Sequence, residues 1–187
     1  MNKNNLQKLL FNYAPIDHQE LNYKKEMLSF LYQHDTCFER SLEIGHFTAS
    51  CWLLNKAGDK ALLMHHAKLN RWQQLGGHAD GNPDLLAVAI KEAQEESGIT
   101  HIAPISNTIF DIHIFDIDVH AIPENKKEKE HTHYDVRFLL QVMSDEAIVQ
   151  NEESYELRWI SKDAAQLPPV GHSVMRMFNK WIKNSHN

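Results

Sequence analysis

Between Gly76 and Ile99 the chain reads GGHADGNPDLLAVAIKEAQEESGI, and the spacing of Glu92, Glu95 and Glu96 within it constrains the fold more than any other stretch. Residues three and four apart on a helix are neighbours, so Glu92 faces both of the other carboxylates. Like charges so close oppose folding unless a cation answers them, which outlines a divalent-cation site. Local chemistry frames the helix at both ends. Asn82 is a favoured N-cap and Pro83 suits the first helical position, where its missing N–H has no intrahelical use. Gly98 suits the left-handed position past the last turn, with Ile99 folding back on the apolar side. Leu85, Leu86, Val88, Ala89 and Ala93 recur at helical spacing and supply a core face. Ahead of the helix, glycines set among His78, Ala79 and Asp80 let the backbone turn tightly and approach a ligand closely.

The remaining segments fix the fold class. Leu6, Leu9 and Leu10 have helical spacing, and Asp17 can cap a second helix carrying Leu21, Met27, Leu28 and Leu31. Phe47 to Leu54 and Lys60 to His65 read as a strand pair across a polar turn, Asn55 to Asp59. Two long strand-like runs follow the central helix, Thr108 to His120 and His133 to Met143. A short strand through Leu157 to Ile160 and a last helix from about His172 to Ile182 complete the chain. Strands interleaved with helices give an α/β order. The 187 residues suffice for one buried core, and we divide them into an N-terminal helical extension, 1–40, and a main domain, 41–187.

On those quoted residues the chain resembles the Nudix hydrolases, whose box reads G, five residues, E, seven residues, then REUxEExGU with U a bulky aliphatic. Gly77 takes the glycine, Lys91 the arginine, Glu92 the glutamate after it, Glu95 and Glu96 the paired glutamates, and Gly98 and Ile99 the close. Pro83 stands where the first glutamate is expected, Lys91 replaces arginine, and Ala93 is small for its slot. The resemblance implies a Nudix-type α/β/α sandwich with a mixed sheet. It also implies hydrolysis of a nucleoside diphosphate linked to another moiety. It places the metal on Glu92, Glu95 and Glu96 beside Gly76, with Lys91 orienting the helix carboxylates. Carboxylate oxygens suit Mg²⁺ or Mn²⁺, which share their remaining positions with water and substrate phosphates.

Further candidates surround the box. In the loop before the short strand, Glu152 and Glu153 are the choices for a general base. Gly76, Gly77 and His78 can contact substrate phosphates, and Trp72 can stack on a base or serve as a core anchor. Side chains alternate along a strand, so Asp116, Asp118 and His120 share one face, as do His131, His133, Asp135 and Arg137. On that face Arg137 either grips an anion through its planar fork or pairs with Asp135 or Asp118 as scaffold. His133 is a second candidate for substrate contact. The spacing of His131 and His133 could hold a transition metal, but without a third ligand fixed by sequence we read hydrogen-bonded, solvent-facing imidazoles.

Charge and cysteine content narrow the partners. A formal net charge of -6 argues against broad nucleic-acid binding, which relies on lysine and arginine. A small phosphorylated substrate can be met by a few local cations. Cys37 and Cys51 are too few for a disulfide framework and read as buried thiols of a reducing compartment. With no signal peptide and no apolar stretch of membrane-spanning length, the expectation is a cytoplasmic protein, free of membrane and nucleic acid, with a homodimer a use for the N-terminal helices. Two rival functions stay open: a ligand-binding regulator of this family without turnover, suggested by Pro83 and Lys91, and an isopentenyl-diphosphate isomerase-like enzyme, which would need a catalytic cysteine.

Overall fold

A computed structural model describes residues 2–105, 113–125 and 128–184 of the chain. Two helices come first, α1 (Lys3–Asn12) and α2 (His18–Gln33). Asp17 caps α2 as its sequence suggests, its side chain accepting from the Glu20 N–H at 2.8 Å. Strands β1 (Gly45–Leu54), β2 (Lys60–His66), β3 (Arg71–Gln73) and β4 (Leu75–His78) lead to helix α3 (Leu85–Ser97). After it come β5 (Ile102–Pro104), β6 (Asp116–Ile122), β7 (His131–Val142), β8 (Ser154–Ser161) and α4 (His172–Asn184).

Helix α3 starts later than its sequence suggests. Asp84 is the cap, accepting from the Ala87 N–H at 3.0 Å, while Asn82 accepts from the Asp84 N–H at 2.9 Å. The asparagine therefore closes a tight side-chain turn around Pro83, and the aspartate after it begins the helix. At the other end Gly98 takes the left-handed conformation, φ 72°, as expected.

The pairing of β1 also differs from the expected hairpin. It meets β2 only at Leu54 and Ala61, whereas its whole length runs parallel to β7, with Gly45 opposite Thr132 and Leu54 opposite Gln141. Strand β4 lies antiparallel on its other side, and β6 pairs antiparallel with β7. Of the long strand expected from Thr108, only the end from Asp116 is strand among the described residues, and 108–112 lie outside them.

One mixed sheet with helices on both faces results, the α/β/α sandwich the sequence implies. Alternation along β1 shows the two layers. Phe47, Ala49, Cys51 and Leu53 join the larger core with Leu6, Met27, Phe30 and the apolar face of α3. Trp52 and Leu54 point the other way, into a smaller core with Val174, Phe178 and Trp181 of α4. Helices α1 and α2 thus share the main core. Among the described residues no helix is long and apolar enough to cross a membrane.

Where the smaller core ends, the same sheet face turns polar. Asp116, Asp118 and His120 of β6 lie opposite Arg137, Asp135 and His133 of β7, and His46, Thr48 and Ser50 of β1 continue the rows.

Candidate active site

Two glycines bring backbone against the helix carboxylates. Gly76 pairs with Ser50 across β4 and β1, and a Cβ there would run into the Ser50 side chain. A Cβ on Gly77 would strike the Glu92 carboxylate. With neither present, the Gly76 N–H donates to Glu96 Oε2 at 2.8 Å.

Packing of α3 sets its three glutamates at different depths. Glu96 is 4% exposed, Glu92 is half-buried and Glu95 faces solvent. Burial pushes the Glu96 carboxyl up to about 8 despite the Gly76 hydrogen bond, with Glu92 and Glu153 adding to the rise. Burial raises Glu92 too, against the pull of Lys91. The Lys91 ammonium lies 2.7 Å from Glu95 Oε2 and 3.4 Å from Glu92 Oε1, so it bridges the two outer carboxylates.

Glu92 and Glu96 line a cavity of about 780 Å³, as do Gly76, Gly77, Glu152 and Glu153. Two hydrogen bonds fix the last pair's loop. Asn151 donates to the Glu95 carbonyl at 3.1 Å and accepts from the Glu153 N–H at 3.0 Å. Glu153 raises both Glu92 and Glu96, whereas Glu156 lies in β8 and pairs with Arg158. Cys51 is fully buried in the main core, where burial pushes its thiol well up, so it presents no nucleophile to this cavity.

His78 and His133 also line the cavity, and Trp72 reaches it from the smaller core. The Trp72 ring stacks on His65 at 5.1 Å and carries the Arg158 guanidinium 4.7 Å from its centre. Arg137 borders the cavity but is 1% exposed, its fork held by Asp135 at 2.8 Å, Asp116 at 3.0 Å and Asp118 at 3.2 Å. His131 is buried rather than solvent-facing, a correction to the sequence reading.

Besides Arg137, the cations Arg40, Lys68 and Arg71 reach this cavity, none of them singled out from the sequence. Arg40 forms a two-pronged pair with Asp80 in the glycine loop. Lys68 and Arg71 stand just ahead of the box, and that proximity was the available signal.

The sequence model of the NUDIX domain matches residues 45–182. A probable DHNTP pyrophosphohydrolase from Lactococcus lactis subsp. cremoris is 32% identical over 89 residues, 48% of this chain and 51% of that protein. The chain thus spans about half the length of the curated relative it matches. A NUDIX-family hydrolase from Clostridium perfringens superposes with a TM-score of 0.55 at 25% identity, covering 75% of this chain and 97% of that one. A binary complex of a C. elegans Ap4A hydrolase gives a TM-score of 0.57 at 16% identity over 75% and 97% of the two chains, a likeness of fold.

Proposed function

This chain belongs to the Nudix family, and from that premise we propose that it is a metal-dependent hydrolase that opens the diphosphate bond of a nucleoside diphosphate linked to another moiety. The observation that carries this reading is the contact of the Gly76 and Gly77 backbone with Glu96 and Glu92 at the cavity wall. The donor set fits a hard cation, Mg²⁺ or Mn²⁺. A buried carboxyl raised to about 8, beside a second raised carboxyl, gains more from a nearby positive charge than an exposed one does. Glu92, Glu95 and Glu96 would hold the ion with the Gly76 backbone beside them. Once bound, it would screen the diphosphate charge and lower the pKa of the attacking water.

The other roles fall to the chain's own groups. Gly76 N–H orients Glu96, and Lys91 orients Glu92 and Glu95. We assign the proton-accepting role to Glu153, with Glu152 the second choice, because their loop is tied to α3 and both line the cavity. His78, His133 and the rim cations Arg40, Lys68 and Arg71 meet the anionic substrate, and Trp72 flanks it. We assign Arg137 to the scaffold on account of its burial and its aspartate partners. The family match begins at residue 45, in keeping with a hydrolase domain over 41–187 and an extension before it.

The regulator reading keeps one specific observation in its favour, Pro83 at the position of the family's first glutamate. A panel of nucleotide sugars, dinucleoside polyphosphates, nucleoside triphosphates and dihydroneopterin triphosphate, assayed with Mg²⁺, Mn²⁺ and chelator, decides between them. Metal-dependent cleavage of any member supports the hydrolase. An inactive wild type whose Pro83→Glu, Lys91→Arg double variant becomes active would make this chain a regulator.

A further inference from the structure

At the cavity wall, three imidazoles converge from two strands. The parallel register sets His46 of β1 opposite His133 of β7, and His131 lies two residues earlier on the same face. The candidate ligand atoms of these three side chains all lie within 4.8 Å of one another. Their ring centres form a near-equilateral triangle, with sides of 5.0, 4.9 and 5.0 Å. Imidazoles around a tetrahedral zinc ion have ring nitrogens about 3.3 Å apart and ring centres about 5 Å apart.

Hydrogen bonding within the group points the same way. His131 Nδ1 donates to the Lys129 carbonyl at 2.7 Å, which leaves the Nε2 lone pair facing His133 Nε2 at 3.1 Å. Metal-bound histidines characteristically spend their second nitrogen on such a carbonyl. His46 is 3% exposed, and among the described residues neither of its ring nitrogens has a hydrogen-bond partner. A hydrogen-bonded imidazole cluster accounts for the pair from β7 but leaves His46 unanswered, and buried polar groups are rarely left so.

We propose that His46, His131 and His133 form a second metal site, for a borderline divalent ion of the zinc class, that uses none of the box glutamates. Three nitrogen donors select zinc, cobalt, nickel or copper over magnesium and manganese, so the two sites differ in the ions they take. Three protein ligands leave a tetrahedral ion one further position. His78, with its ring centre 5.2 Å from His46 and 4.9 Å from His133, stands where it could fill it or border a water there. His78 and His133 also line the cavity, so the ion sits at the wall of the pocket that takes the substrate.

The test needs no substrate and stands apart from the hydrolase reading. Full-length protein, stripped with chelator, is titrated with Zn²⁺ against a chromophoric competitor in a large excess of Mg²⁺, and X-ray absorption at the zinc edge counts the ligands. The proposal expects one tight equivalent with at least three imidazole nitrogens. His131→Asn or His133→Asn, checked by circular dichroism for an intact fold, should weaken binding by more than about a hundredfold. The Glu95→Gln, Glu96→Gln double variant should bind as the wild type does. Failure of the wild type to take up zinc, or an oxygen-only shell, would overturn the site without needing any variant to fold. So would zinc that is lost with the glutamates and kept by the histidine variants.

Discussion

At the scale of single residues, Arg137 shows how far an alternating pattern can be read. The pattern places arginine, aspartates and histidines on one strand face, and the structure does so too. What spacing leaves open is whether that fork faces a ligand or its neighbours. The answer depends on Asp116 and Asp118, which reach Arg137 only through the β6 and β7 register. Removing a buried partner strands the remaining charges, so Arg137→Ala should cost about 3–5 kcal/mol. For a chain of this length that is a drop of roughly 10 °C in melting temperature. The Michaelis constant of the folded fraction should hardly move. A raised Michaelis constant with unchanged melting would return Arg137 to the substrate.

At the scale of elements, α3 was legible from its composition to within a turn. Its apolar face and its Gly98 stop lie where spacing puts them, but Asn82, Pro83 and Asp84 offer two side chains able to cap. Only geometry chooses between them, because Asn82 is drawn into the turn around Pro83. Asp84→Ala should therefore destabilise the protein by about 1 kcal/mol in urea unfolding. Asn82→Ala should cost less, and the reverse order would mean the helix starts earlier in solution. The short strands Arg71–Gln73 and Ile102–Pro104 carry no periodic signal because three residues are too few to alternate. Equally hidden is the parallel pairing of β1 with β7, since nothing local in either strand names so distant a partner.

Across the whole molecule, one buried charge network ties the ends of the chain to the sheet. Asp116 and Asp118 of β6 meet Arg137 of β7 and Arg176 of α4, while Lys180 of α4 lies 2.6 Å from Asp116. Glu20 of α2 joins from the N-terminal side. It accepts from the Tyr13 hydroxyl at 2.7 Å and lies 2.6 Å from the Lys180 ammonium, in charge contact rather than an aligned hydrogen bond. The carboxylates on the strands were legible, but their partners on α4 were not, because the last segment reads only as a helix, with nothing in it that names a distant partner. Burial pushes the Asp118 carboxyl up, yet the His120 hydrogen bond and the two guanidiniums hold it well below the usual range. Its charged form is therefore favoured by folding, a stabilisation fully present above the ordinary carboxylate pKa of about 3.9 and lost as the pH falls through the lower folded value. Wild type should then exceed Asp118→Asn in urea stability at pH 7, and the gap should close only below about pH 4. A gap that does not change with pH would mean that the charge is not what Asp118 contributes. The central claim, that the α3 carboxylates hold the ion that drives hydrolysis, is tested most directly by titrating Mg²⁺ into wild type, Glu95→Gln and Glu96→Gln with the best substrate of the panel. A metal held there would supply several kcal/mol of charge stabilisation, so each variant should lose roughly a hundredfold or more in turnover. Each should also melt without metal within a few degrees of wild type. Full turnover with an unshifted Mg²⁺ dependence in both variants would contradict the claim.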